Sequence, residues 1–192
     1  ILSPHRAAKA CSKATLDVMR EAVEAAGGPV GTLQTITKAD KAYVEAVMHH
    51  KRLALVLATS TPKIVDWAQR SGTPAIGVGP GNVPAVIHPS ADLDQAVEMI
   101  LTSKTFDNGT VCASEQALVV PRSISWAVRE RLEARGVVFV PSEKIEALGQ
   151  VCVDVEGRSM RAEVVGRPAR VVAERIGLDV PDDTRLLVAE LD

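Results

Sequence analysis

The spacing of apolar residues changes several times along the chain, and the changes mark out alternating helices and strands. Residues 4–26 are alanine-rich with apolar positions at helical spacing, and Gly27-Gly28-Pro29 stops the run. Residues 33–36 form a short β-type run, and residues 39–49 return to helical spacing. Leu53 to Ala58 is a continuous apolar run of strand length, which predicts a strand buried on both faces. Thr61-Pro62 then predicts a helix start, with Thr61 as N-cap and Pro62 in the first helical position. Residues 74–78 are the next strand. This rhythm predicts an α/β fold with a doubly wound, Rossmann-type sheet. A cluster of Gly77, Gly79, Pro80, Gly81 and Pro84 marks a boundary between lobes, placed at 1–82 and 83–192. Beyond it, Leu93, Ala96, Val97, Ile100 and Leu101 share one helical face, with Ser90 as the expected cap and Asp92 and Asp94 near the positive end. A loop over residues 106–111 leads to Cys112. A strand (117–120), a helix (123–135), a strand (137–140), a helix from about Ser142, a helix (167–176) and a strand (185–189) follow. Residues 151–163 carry no assignable period. An apolar run at each ragged end predicts a segment of a longer protein.

Composition narrows the class. The 192 residues are 46% hydrophobic, 24% charged and 3% aromatic, with a formal net charge of −2. Such a chain buries enough apolar surface to fold, which excludes disorder. No apolar run is long enough to cross a bilayer, and no signal peptide opens the chain. Near-zero charge and few aromatic rings argue against a nucleic-acid partner. Three cysteines do not make a disulfide scaffold and point to a reducing, cytoplasmic-type compartment.

Three segments are candidates for chemistry. Thr59-Ser60-Thr61 joins a strand to a capped helix, where doubly wound folds place a phosphate; an ordinary turn satisfies the same spacing. In Gly77-Val78-Gly79-Pro80-Gly81-Asn82, glycines at a strand end admit a flat ligand or form a hinge. In the segment around Cys112, Asn108-Gly109 predicts a turn and sets the cysteine on a loop, where a thiol is accessible; the competing role is that of a small buried hydrophobe. Cys11 and Cys152 lie in apolar contexts and read as structural. Adjacent His49 and His50 diverge by about 100° on a helix, which suits a solvated helix end, and no metal site is expected.

Several motifs carry a resemblance. Ser3-Pro4-His5, Met48-His49-His50, Leu57-Ala58-Thr59, residues 72–82 and above all Lys104-Thr105-Phe106-Asp107-Asn108-Gly109-Thr110-Val111-Cys112-Ala113-Ser114-Glu115-Gln116 resemble the CoA-acylating branch of the aldehyde dehydrogenase superfamily, including the aldehyde dehydrogenase half of bifunctional aldehyde-alcohol dehydrogenases. The likeness runs in order through Val164-Val165-Gly166 and Leu186-Leu187-Val188. It implies part of a dinucleotide-binding domain followed by part of a cysteine-bearing catalytic lobe. It also implies a reaction. Cys112 attacks an aldehyde, hydride passes to NAD or NADP, and coenzyme A takes the acyl group from the resulting thioester, or the sequence runs in reverse from an acyl-CoA. The Cys112 backbone N–H is the implied oxyanion donor. Ser3, Pro4 and His5 match the adenosine-ribose segment, Thr59, Ser60 and Thr61 the pyrophosphate turn, and Gly77, Gly79 and Gly81 the nicotinamide side.

The departures are informative. Hydrolytic relatives carry a glutamate in the strand-end glycine motif, and residues 76–82 contain no carboxylate, so the thioester is expected to await a thiol. No acid stands at the expected ribose position, and Arg6 can meet a 2′-phosphate, which leaves NAD and NADP both open. The resemblance covers less than half of a family member, so this segment alone is expected to be inactive. The full-length parent is expected to be a homo-oligomer in the cytoplasm or a bacterial microcompartment. A hydrolytic aldehyde dehydrogenase and a truncated, non-catalytic binding module are the competing readings.

Overall fold

Helical crossovers between parallel strands organise the chain, as the alternating pattern predicts. The computed structural model describes residues 1–5, 8–36, 40–59, 61–79, 81–157 and 159–191. It falls into two compact units, Ile1–Pro80 and Gly81–Asp192. In the first, α1 (Lys9–Ala25) and α2 (Lys41–Met48) precede β1 (Val56–Thr59), α3 (Pro62–Arg70) and β2 (Ala75–Val78). β1 and β2 pair in parallel, from Val56 opposite Ala75 to Thr59 opposite Val78, so both strands end at one edge and α3 is the crossover. Ala68 of α3 is fully buried with Met48, Val56 and Ala58, and Ile64, Val65 and Trp67 pack around them.

The second unit repeats the device. β3 (Val83–Val86), α4 (Leu93–Thr105), β4 (Glu115–Val119), α5 (Arg122–Glu133), β5 (Val137–Phe139), α6 (Ser142–Cys152), β6 (Val153–Asp154), β7 (Ser159–Met160), α7 (Ala169–Arg175) and β8 (Leu186–Val188) follow in order. β3 pairs in parallel with β4, and β5 with β8; β6 and β7 form a short antiparallel hairpin. The core joins Ile87, Val97, Leu101, Val128, Leu132 and Val137, with Leu93, Ala96 and Ile100 packed against it. The helical stripe read from sequence is therefore the face that α4 buries. Asp94, on the same helix, accepts from Arg135 at 2.9 Å and Arg131 at 3.2 Å, and these guanidinium donors hold its carboxyl below the usual carboxylate range.

Several expectations are corrected. β1 is not buried on both faces: Val56 and Ala58 are covered, while Leu57 is 70% exposed and its β2 neighbour Ile76 is 57% exposed. One crossover helix covers one face of a two-stranded sheet, and α3 is that helix. Residues 33–36 form no strand but a single parallel bridge, Leu2 to Thr35, with Leu2 N–H donating to the Gln34 carbonyl at 2.8 Å. α1 begins at Lys9 rather than Pro4. Asp92, not Ser90, caps α4: its carboxylate accepts from Gln95 N–H at 3.0 Å, while the Ser90 hydroxyl pairs with His88 Nδ1 at 2.7 Å. Thr61 stands at the N-cap of α3 as expected, but its side chain makes no capping hydrogen bond. Cys11 is exposed on α1, not packed. β3 escapes the sequence pattern because Pro84 lacks an N–H; a register shift between Val83 and Pro84 accommodates it. Residues 151–163 contain the end of α6 and the β6–β7 hairpin.

Candidate active site

The cysteine loop of the second unit starts where α4 stops. The Thr105 hydroxyl turns back to the Leu101 carbonyl at 2.7 Å. The next four residues, Phe106–Gly109, make a 3-10 turn in which Asp107, Asn108 and Gly109 all take positive φ, at 49°, 50° and 73°. Asp and Asn tolerate this region better than other side chains, and each such residue still costs about 1 kcal/mol or more. Local and distant contacts offset that cost. Thr110 N–H and Oγ1 donate to the Asp107 carbonyl at 3.2 and 2.9 Å, and the same hydroxyl reaches the Asp107 carboxylate. Asn108 Nδ2 donates to the Gly166 carbonyl at 3.1 Å. Gly166, at φ 69°, lies against Thr110: a Cβ there would sit 3.0 Å from Thr110 Cγ2.

Cys112 follows in an exposed turn, between exposed Val111 and Ala113. The turn is anchored on its far side by Ser114, which is 2% exposed and donates its N–H to the Val111 carbonyl at 3.0 Å. The thiol is thus offered to solvent from a backbone fixed both before and after it, as a nucleophile requires. Cys152 differs: it is half-buried at the end of α6, and burial pushes its thiol up against the smaller opposing pull of Arg175. A raised thiol has little thiolate at neutral pH, in keeping with the structural role expected for it.

In the first unit, the structure brings Thr59, Thr61, Gly77 and Gly79 to the carboxyl edge of the β1–β2 pair, where α/β sheets bind ligands. α3 opens there with Pro62 at its first position, no acidic residue in its first turn, and Lys63 next to Pro62. That end is electrostatically suited to an anion such as the pyrophosphate of a dinucleotide. A Cβ on Gly79 would have no atom within 4 Å, so open space lies over the edge. The positive helix end and the open space both fit the cofactor that the resemblance implies. Gly77 has another role: its missing Cβ would lie 2.3 Å from Val65 Cγ1, so α3 needs glycine there to pack on β2. Gly77→Ala is expected to lower stability by about 1–3 kcal/mol, read as a lower denaturant midpoint of the chain.

Ser3, Pro4 and His5 occupy the segment before α1. Pro4 borders a shallow depression with Lys9, Ala10, Lys13, Thr35 and Ile36, and the His5 carbonyl accepts from Ala8 N–H at 3.0 Å. Gly81 opens the second unit and is exposed. Ser60, in the pyrophosphate turn, and Arg6, matched to a 2′-phosphate, lie outside the described residues. His49 ends α2 and is exposed, and His50 Nδ1 accepts from Arg52 N–H at 3.2 Å, the solvated helix end that the sequence suggested. Among the described residues, no three His, Cys, Asp or Glu side chains converge as a metal site. Sequence reading did not single out Lys104, Asn108, Thr110 or Gly166 as supports of the Cys112 turn. The Asn108-Gly109 turn signal was the one local hint.

Parallel β-α-β units joined by crossover helices make an aldehyde dehydrogenase-like α/β fold. Residues 7–139 match the aldehyde dehydrogenase family, and the chain belongs to it. It is 41% identical over 191 residues to the bifunctional aldehyde-alcohol dehydrogenase of Escherichia coli K12, an alignment that covers 100% of this chain and 21% of that protein. It is 33% identical over 195 residues to an acetylating acetaldehyde dehydrogenase of Salmonella typhimurium, covering 99% of this chain and 42% of that one. Among solved structures, an acetylating aldehyde dehydrogenase from Geobacillus thermoglucosidasius is 44% identical, with a TM-score of 0.90 over 99% of this chain and 42% of that one. The chain therefore spans less than half the length of these relatives.

Proposed function

We propose that this chain is the Cys112-bearing part of a CoA-acylating aldehyde dehydrogenase that uses NAD or NADP. The observation that carries the reading is an exposed cysteine on a turn fixed from both sides, in a member of this family. The Cys112 thiolate attacks the aldehyde carbonyl carbon; a C–S bond forms, the carbonyl electron pair moves to oxygen, and the Cys112 N–H donates a hydrogen bond to the resulting oxyanion. Loss of hydride from that carbon leaves a thioester on Cys112. A nicotinamide dinucleotide, when bound, would supply the hydride acceptor. Thr59 and, at the start of α3, Thr61 would hold its pyrophosphate end, Ser3, Pro4 and His5 the adenosine ribose, and Gly77, Gly79 and Gly81 the nicotinamide side. The CoA thiol then attacks the thioester and expels the Cys112 thiolate. Residues 76–82 hold no carboxylate to activate water, so transfer to CoA outruns hydrolysis.

The test uses an acyl-enzyme formed in the whole protein. Adding CoA is expected to discharge it as acyl-CoA at least about tenfold faster than it decays to free acid without CoA, a difference of about 1.4 kcal/mol in barrier. Equal release of free acid in both arms overturns the acylating reading.

A further inference from the structure

The nine residues 106–114 that carry Cys112 leave α4 and return to β4, and the neck of this loop is closed by one side chain. Lys104, in the last turn of α4, donates from Nζ to Gln116 Oε1 in β4 at 3.1 Å. Gln116 in turn donates from Nε2 to the Ser114 carbonyl at 3.3 Å, so the same amide grips both the lysine and the buried anchor of the cysteine turn. The loop folds back over this contact. A Cβ on Gly109 would lie 3.2 Å from both Lys104 Nζ and the Lys104 carbonyl, and glycine is what lets the turn close onto the ammonium group. The lysine is half-buried there, and burial pulls its ammonium group below the usual range while the nearby Glu115 carboxylate opposes that shift. Glu115 has one carboxylate oxygen, Oε2, buried with no hydrogen-bond partner among the described residues, so Lys104 supplies the positive charge beside an acid that is shielded from solvent on that side.

From this geometry we infer that Lys104 is a positioning residue for Cys112: it staples the two ends of the cysteine loop through Gln116 and sets the turn in which the thiol is presented. The inference rests on the reading of Cys112 as the nucleophile. An aliphatic side chain at 104 opens the neck, frees the Gln116 amide and leaves Glu115 without its neighbouring cation. An arginine keeps both a donor and a charge.

Hydrogen exchange in the 192-residue chain tests the staple without requiring turnover. The Thr110 and Ser114 amides are the reporters, because they close the two turns on either side of Cys112. In Lys104→Met and in Gln116→Leu, both amides are expected to exchange about tenfold faster, while amides of the buried α4 face, such as Leu101, keep their rates. The double variant is expected to be no faster than Gln116→Leu alone, because the lysine reaches the loop through that amide. Lys104→Arg restores exchange to within about threefold of the original rate. Unchanged Thr110 and Ser114 exchange in Lys104→Met, effects that multiply in the double variant, or equal acceleration at Leu101 overturns the staple. Iodoacetamide labelling of the whole protein carrying the same substitutions, resolved by peptide, tests the underlying reading. The Cys112 rate is expected to exceed that of Cys11 in the original chain and to fall toward it in Lys104→Met. A Cys112 no faster than Cys11 in the original chain sinks the nucleophile reading whatever the amides do. A fast Cys112 indifferent to Lys104 sinks the positioning role alone.

Discussion

On the function proposed above, replacing Cys112 by alanine in the whole protein is expected to remove acyl-enzyme formation and to lower kcat/KM for aldehyde oxidation by about a thousandfold or more, the scale on which loss of a covalent nucleophile is felt. The size follows from the chemistry. Without the sulfur, no covalent adduct holds the carbon from which hydride must leave, and no thioester is available for CoA. Serine in the same place recovers little, because a hydroxyl lacks the acidity of a thiol and is a poorer leaving group. The controls are Cys11→Ala and Cys152→Ala, which are expected to stay within about twofold of the original: one thiol lies on α1, and the other is pushed toward its protonated form by burial. Mass analysis of peptides after exposure to substrate checks both halves, since the acyl group is expected on the Cys112 peptide alone. An acylated Cys11 or Cys152 in place of Cys112 defeats the assignment.

Leu101→Ala is expected to lower the stability of the second unit by about 3–5 kcal/mol. Leu101 is fully buried, with Val97, Val128, Leu132, Ile87 and Val137 in the same cluster. Truncation removes its transfer free energy and leaves a cavity that helices anchored on two parallel strand pairs cannot readily collapse. Against a typical total of about 5–15 kcal/mol, such a loss is a large fraction. Denaturant unfolding with hydrogen exchange across α4 and α5 measures it. A change below about 1 kcal/mol would mean that the core repacks around the missing side chain.

The helix stripe of α4 was legible because it is a local, periodic property: Leu93, Ala96, Val97, Ile100 and Leu101 announce one face whatever lies opposite. The same holds for the Thr61-Pro62 start of α3 and for the short apolar runs that became β1, β2, β4, β5 and β8. Capping was less legible. Ser90 and Asp92 are both competent caps, and only the course of the backbone gives the Gln95 N–H to Asp92 while Ser90 turns to His88. β3 was hidden because Pro84 argues against a strand, and the register shift that admits it depends on the partner strand.

The cysteine loop shows the division most clearly. Residues 104–116 by themselves determine a turn at Asn108-Gly109, a cysteine outside a helix and, by likeness, the family. Tertiary structure alone decides what holds that cysteine in place: the Asn108 amide meets a carbonyl 58 residues away, and Lys104 crosses the neck to Gln116. It also decides that the run ending in Ala58 is covered on one face and open on the other, and that Gly77 answers to Val65 of the neighbouring helix. Periodicity and turn chemistry are written in consecutive residues, whereas close packing and loop anchoring depend on atoms that meet only after the chain has returned to itself.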